Sequence, residues 1–308
     1  MSALAQPTRP HVPHVAIFVE TATSWGRRLV KGILHYSQEH GPWHIHVEPG
    51  GPDSVHLPPR WRGDGIIARI GTRSMAEKVR AANVPVVNCS SIRLPGVDYP
   101  RVRTNPETSA RMAVDLFRSR GFRHFAYVGN PSKDYVQIMF HAFEAALAEQ
   151  GQTAHFSRPS EDAEELIAWL RSLPKPIGVF CWGPSIGRLV IDSCLEAGIA
   201  VPHDVAVLGA DFDDLLSEAS YPPQSGLRVA SEQIGMTAAA ILDALMHGRA
   251  VEKNDWILEP QGYIEKRSTD TLAVDDRRMA TVMRYIQDHF REPISVEDVR
   301  RANPMARR

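Results

Sequence analysis

The chain has 308 residues, of which 43% are hydrophobic and 23% charged, with 35 basic against 36 acidic side chains. This balance excludes general disorder, a collagen-like repeat and a disulfide-rich scaffold, and the length implies two or three compact units, because a single core stops growing near ~250–300 residues. No run approaches the ~18 apolar residues of a membrane span, and the opening MSALAQPTRPHVPH has prolines and a histidine where a leader would be apolar, so a cytoplasmic location is expected.

From His14 to Pro260, short β-branched runs alternate with amphipathic segments of helical length. A strand is predicted over Val15–Glu20, followed by a helix over Ser24–His40 that carries Trp25, Leu29, Ile33 and Tyr36 on one face. Strands follow at His44–Val47, Gly65–Ile70 and Val84–Asn88, then a helix at Pro106–Arg120 closed by Gly121. Further strands are predicted at Phe125–Val128, Ala154–Phe156, Gly178–Trp182, Val205–Gly209 and Trp256–Glu259, with a helix at Ser231–His247; Gly151 stands as a helix-closing glycine. Strict β–α alternation implies parallel sheets covered by helices on both faces. Four strands between Phe122 and Leu227 favour two similar doubly wound lobes over one large sheet.

Ligands of doubly wound folds bind outside the carboxyl ends of the strands. The candidate ligand contacts there are Trp25, Arg69, Ser90, Asn105, Asn130, Trp182 and Asp211. Rings, amides, a hydroxyl and charged groups suit a small polar ring that is stacked upon and hydrogen-bonded. No glycine-rich phosphate cradle of either common pattern occurs.

Beyond Thr269 the character changes. Eight arginines and four acids lie between 277 and 308, a net of +4, which leaves −5 on the first 276 residues. Asp275 is placed to cap a helix carrying Met279, Val282, Met283, Ile286 and Phe290, and Pro293 ends it. Ser295-Val-Glu-Asp298 reads as a capping box opening a short helix over Val296–Ala302. Asn303-Pro304 then turns the chain, so the tail has the outline of a helix-turn-helix without its reading helix. Arg300, Arg301, Arg307 and Arg308 are the candidate nucleic-acid contacts.

The remaining chemical signals are weaker. Cys89, Cys181 and Cys194 are odd in number and widely spaced, which suits buried thiols. The pairs His44/His46 and His11/His14 lack a cysteine or carboxylate partner at ligand spacing, so no metal is expected, nor any cofactor. Gly183-Pro-Ser185-Ile-Gly187 spells the nucleophile elbow of an α/β serine hydrolase, with Asp211 or Asp213 and His247 following in order. His247, however, ends an amphipathic helix and no oxyanion segment precedes it, so the chain reads as a non-enzyme. Asp213-Asp214 reads as a solvated charge at a helix start.

Several segments together carry a resemblance: VAIFVETATSWGRRLVKGILHYSQEHGPW at 15–43, FRHFAYVGNPS at 122–132, VPHDVAVLGADFDD at 201–214, IEKRSTD at 264–270 and YIQDHFREPISVEDVRRANPMARR at 285–308. Over residues 14–308 the chain resembles the bacterial xylose-operon regulators, in which a LacI-like, type I periplasmic-binding-protein-like sensor precedes an AraC-type DNA-binding domain. The resemblance implies a flexible 1–13, a two-lobed effector-binding domain over 14–270 and a cut-short AraC-type domain over 271–308. It also implies a sugar or sugar-like effector, DNA as partner when the C-terminal domain is complete, a homodimer and no membrane. Asp211 matches the family's sugar-binding aspartate. The family's sugar-clamping arginine, four residues before the aromatic equivalent to Phe143, is Met139 here, the polar group after the Gly178–Cys181 strand is replaced by Trp182-Gly183, and Phe212 stands beside Asp211. These departures predict a more apolar or differently shaped effector than a simple pentose. A sensor without its own sequence-specific DNA binding is the alternative reading.

Overall fold

The computed structural model describes residues 11–48, 61–157, 163–271, 273 and 277–302. They form two compact units, between which the chain passes after Asn105, after Val229 and after Glu259. Unit 1 takes residues 1–105 and 230–259, and unit 2 takes 106–229 and 260–308.

Unit 1 holds strands β1 (His14–Phe18), β2 (His44–Glu48), β3 (Gly65–Ala68), β4 (Val86–Asn88) and β5 (Arg101–Thr104), with helices α1 (Ser24–His40) and α2 (Arg73–Ala81). In unit 2 lie α3 (Pro106–Ser119), β6 (His124–Val128), α4 (Asp134–Ala148), β7 (Ala154–Ser157), α5 (Ala163–Ser172), β8 (Ile177–Cys181), α6 (Pro184–Glu196), β9 (Val205–Gly209), α7 (Asp214–Glu218) and β10 (Ser225–Leu227). The chain then returns to unit 1 for α8 (Ser231–Met246) and β11 (Asp255–Leu258) before β12 (Tyr263–Ile264), α9 (Arg277–His289) and α10 (Val296–Ala302) in unit 2. Sheet order is β11-β5-β4-β3-β1-β2 in unit 1 and β12-β10-β9-β8-β6-β7 in unit 2. Every pairing is parallel except β10 with β12.

Burial follows the two-residue period of the strands. In β1, Val15 and Ile17 face the core under α1 and α8, and Ala16 and Phe18 face the core under α2. In unit 2, Phe125 and Tyr127 pack under α3 and α4, and Ala126 and Val128 pack under α5 and α6. Tyr127 is fully buried among Phe140, Phe143, Phe156 and Phe180 and donates its hydroxyl to the Val136 carbonyl at 3.3 Å. Both sheets are therefore covered on both faces, as the alternation predicts.

Helix ends obey local chemistry. Thr23 caps α1 by accepting from the Gly26 amide at 3.1 Å, and Gly121 and Gly151 take φ of +84° and +67° just after their helices. The capping box of α10 forms in both directions: Ser295 Oγ accepts from the Asp298 amide at 3.3 Å, and Asp298 accepts from the Ser295 amide at 2.9 Å.

Three strands correct the sequence reading, which has nine where the described residues form twelve. Strand β5 reads Arg-Val-Arg-Thr, and its arginines hide the alternation; both pair with Asp255 on the adjoining β11. Strand β10 is Ser-Gly-Leu after two prolines, and β12 has two residues. The proposed cap Asp275 and the turn at Asn303-Pro304 lie outside the described residues.

Candidate functional site

In unit 1 the strand order reverses between β1 and β3, and in unit 2 between β6 and β8. Such switch points open a crevice at the carboxyl edge of a doubly wound sheet. Trp25 follows β1 and Arg69 follows β3, so these two flank the first switch point; Asn130 follows β6 and Trp182 follows β8, flanking the second.

At the edge of unit 1, the Arg69 guanidinium carbon lies 5.1 Å from the centre of the Trp25 ring. A cation over an indole face in a half-buried setting contributes about 1 kcal/mol and fixes both groups. The Arg69 amide donates to the Phe18 carbonyl at 3.0 Å, which anchors its backbone to β1. Ser90 is buried, and its hydroxyl oxygen accepts from the Ile92 amide while its own amide donates to Asn88 Oδ1. Asn105 donates from Nδ2 to Glu259 Oε1 at 2.9 Å, joining the chain on either side of two crossovers. Burial pushes the neighbouring Cys89 thiol up to about 12, with the Arg69 charge pulling weakly the other way.

At the edge of unit 2, Asn130 is exposed and its Oδ1 accepts from the Ser132 amide at 3.0 Å, forming an Asx turn. Trp182 packs against Tyr135 with ring centres 4.8 Å apart and planes tilted by 35°. Asp211 follows β9, the strand next to β8, and is half-buried. Its neighbour Phe212 is buried, and Asp213 is spent as the cap of α7, accepting from the Leu216 amide at 3.0 Å. Met139 is 8% exposed and belongs to the core under α4.

Tyr135 is a further candidate at this edge that sequence reasoning missed. It is the second residue of α4, as Trp25 is the second residue of α1. Strand, turn and helix start recur here with the same spacing, from VAIFVETATSW at 15–25 to FAYVGNPSKDY at 125–135. Comparing the two lobes with each other reveals the second aromatic.

The hydrolase-like segment has other structural work. Ser185 lies in the first turn of α6 behind Pro184, and Gly187 faces the Gln224 side chain so closely that a Cβ would stand 1.9 Å from its Nε2. His247 caps α8 in unit 1 and donates from Nδ1 to the Asp243 carbonyl at 2.8 Å. Among the described residues no group of three or more His, Cys, Asp or Glu is arranged to hold a metal. His11 pairs with Asp64, and His14 and His44 meet edge to face. No described helix is long and apolar enough to cross a membrane.

In the tail, Arg300 pairs with Glu297 at 3.1 Å and Arg301 with Asp298 at 3.6 Å, each on its own helix. Arg307 and Arg308 lie outside the described residues.

Two covered, mostly parallel sheets and three crossovers define a type I periplasmic-binding-protein-like fold. Residues 114–269, half of the chain, match the periplasmic binding protein-like domain, and the chain belongs to that family. Its first unit carries a more particular signature: residues 14–105 match the XylR N-terminal domain, which places the chain with the xylose-operon regulators. It is 24% identical over 300 residues to the xylose operon regulatory protein of Escherichia coli strain K12, covering 92% of this chain and 76% of that protein. It is also 26% identical over 199 residues to the HTH-type transcriptional regulator GntR of the same organism, covering 62% of this chain and 60% of that one. Among solved structures, the xylose-binding transcription activator xylR superposes with a TM-score of 0.82 at 23% identity, over 97% of this chain and 80% of the other. A periplasmic binding protein/LacI transcriptional regulator from Alkaliphilus metalliredigens QYMF, solved with D-xylulofuranose, gives 0.65 at 17% identity, over 84% and 100%.

Proposed function

We propose that this chain is the sensing part of a cytoplasmic, homodimeric transcriptional regulator, and that its effector is a sugar or a sugar-like polyol. One observation carries the reading: at the carboxyl edge of each sheet, neighbouring strands offer an aromatic ring and a charged group, Trp25 with Arg69 and Trp182 with Asp211. A pyranose or furanose has an apolar C–H face that stacks on a ring and hydroxyls that bond to charged groups. The solved relative with D-xylulofuranose agrees with this chemistry. Effector binding then biases one conformation of the sensor by the difference in its affinity for the two.

The effector favoured by these residues has a larger apolar surface than a simple pentose. Met139 is buried in the core where the resemblance places a clamping arginine, and Trp182 with Tyr135 adds aromatic surface. The test is thermal stability of the chain against pentoses, hexoses, deoxysugars, sugar acids and disaccharides. A ligand at ~100 times its Kd raises stability by ~2.7 kcal/mol; a panel without any shift refutes the sugar reading.

The alternative, a sensor without sequence-specific DNA binding of its own, is favoured by one observation. Both described tail arginines at the candidate nucleic-acid face are already paired with acids of their own helix. Anisotropy titrations with unrelated duplexes should then give equal, weak affinities that fall steeply with salt. Sedimentation at equilibrium tests the homodimer.

A further inference from the structure

Residues 265–271 and Ala273 follow β12, and unit 2 grips them with buried hydrogen bonds. Ser268 and Thr269 are fully buried. Ser268 Oγ donates to the Val207 carbonyl at 2.6 Å and accepts from the Ser225 amide at 2.8 Å, and the Val207 amide donates to the Ser268 carbonyl at 2.8 Å. Thr269 Oγ1 lies 2.7 Å from Ser225 Oγ, which also accepts from the Lys266 amide.

Arg120 closes this grip from the other side. It stands just beyond α3, and its side chain is 14% exposed. One terminal nitrogen donates to the Thr269 carbonyl, and the other pairs with Glu265 at 2.6 Å. Its own carbonyl accepts from the Ala273 amide at 2.7 Å. Gly121 is packed so closely that a Cβ would meet the Ala273 carbonyl oxygen at 3.2 Å. One residue thus holds the connecting segment at Glu265, Thr269 and Ala273. Of the described side chains of α9, Met283 shares an open cavity of about 420 Å³ with Leu116, Ser119 and Tyr263, while Met279 and Ile286 are exposed.

The far end of α3 begins at Pro106, the first residue after the Asn105 crossover. The helix spans about 21 Å at 1.5 Å per residue. We propose that Arg120 is a positioning residue that locks the connecting segment to the end of α3, so that α3 and α9 move as one body. The inference stands whatever the effector is, since its test uses no ligand.

Spin labels placed at Arg111→Cys on α3 and Ile286→Cys on α9, both exposed positions, give the interhelix distance by pulsed electron resonance in the full chain. The three native thiols are buried and leave these as the labelling sites. The unaltered clamp should give one narrow distance. Arg120→Ala and Glu265→Gln should broaden it about twofold while melting of the body changes little, as expected when a local restraint is released; Arg120→Lys, which keeps charge but loses the fork, should fall between. If Arg120→Ala does not fold, Arg120→Lys and Glu265→Gln decide. An unchanged narrow distance in the folded variants overturns the proposal.

Discussion

Asp211 and Gln224 occupy neighbouring ground in unit 2 and lead to opposite expectations. Replacing Asp211 with Asn keeps the shape and removes the charge, so it should cost effector affinity by ~1.5–3 kcal/mol, roughly ten- to a hundredfold in Kd, with unit 2 melting as before; titration calorimetry with a sugar from the panel measures it. Gln224 is 2% exposed, and neither atom of its side-chain amide has a hydrogen-bonding partner among the described residues. A buried amide left without partners costs about 1–3 kcal/mol. Gln224→Leu should therefore raise the denaturation midpoint of unit 2, and a lowered midpoint would show that the amide serves the fold. The sequence makes Asp211 a candidate because it follows a legible strand, VAVLG. It could not disclose Gln224, whose burial arises from the approach of Gly187 and Gly209 from remote parts of the chain.

Helices α1 and α8 meet through glycine. A Cβ on Gly32 would stand 1.9 Å from the Glu232 carbonyl oxygen, and one on Gly235 would stand 2.0 Å from the Leu29 carbonyl oxygen. Backbone, not a movable side chain, blocks each position. Gly32→Ala should destabilise unit 1 by at least ~2–3 kcal/mol, the upper range for overpacking, despite the usual gain of alanine over glycine in a helix; urea unfolding measures the difference. Strand β5 shows why some elements were illegible. Its periodicity is charged on one side: Arg101 and Arg103 share Asp255 at 2.8 and 3.1 Å, joined by Arg93 at 3.0 Å. Apolar periodicity detects burial by exclusion of water, whereas this strand meets its neighbour through ion pairs that only the fold assembles. Burial alone would raise the Asp255 pKa, but hydrogen bonds and charges from Arg101 and Arg103 hold it below the usual value. A depressed folded pKa contributes stability that is complete above the unfolded value of ~3.9 and is lost as pH falls through the folded one. Asp255→Asn should destabilise unit 1 by ~2 kcal/mol at neutral pH and flatten the acid limb of its stability curve below about pH 4.

At the scale of the whole molecule, the doubly wound architecture and the two lobes were legible because each buried strand announces itself and each helix has one apolar face. The three crossovers were not, since nothing local distinguishes a loop that stays within a lobe from one that leaves it. The cysteines report on both lobes at once. Cys89 belongs to unit 1, Cys181 and Cys194 to unit 2, and burial raises all three thiol pKa values. A disulfide reagent at pH 8 should leave the native chain unmodified and titrate all three thiols after denaturation; rapid modification of Cys89 alone would reveal local opening of unit 1.

The crossovers also set a timetable for synthesis. The face of unit 1 formed by Leu29 and Ile33 is completed by Ile234, Ala238 and Leu242, which leave the ribosome only after residues 106–229 of unit 2. At ~5–20 residues per second the nascent first lobe waits roughly six to twenty-five seconds for its missing helix. By the end of that interval unit 2 still lacks residues 260–308, which carry β12 and the tail. The lobe begun first thus stands unfinished while residues 106–229 are made, and its uncovered apolar face makes it a part of the newborn chain in need of a chaperone.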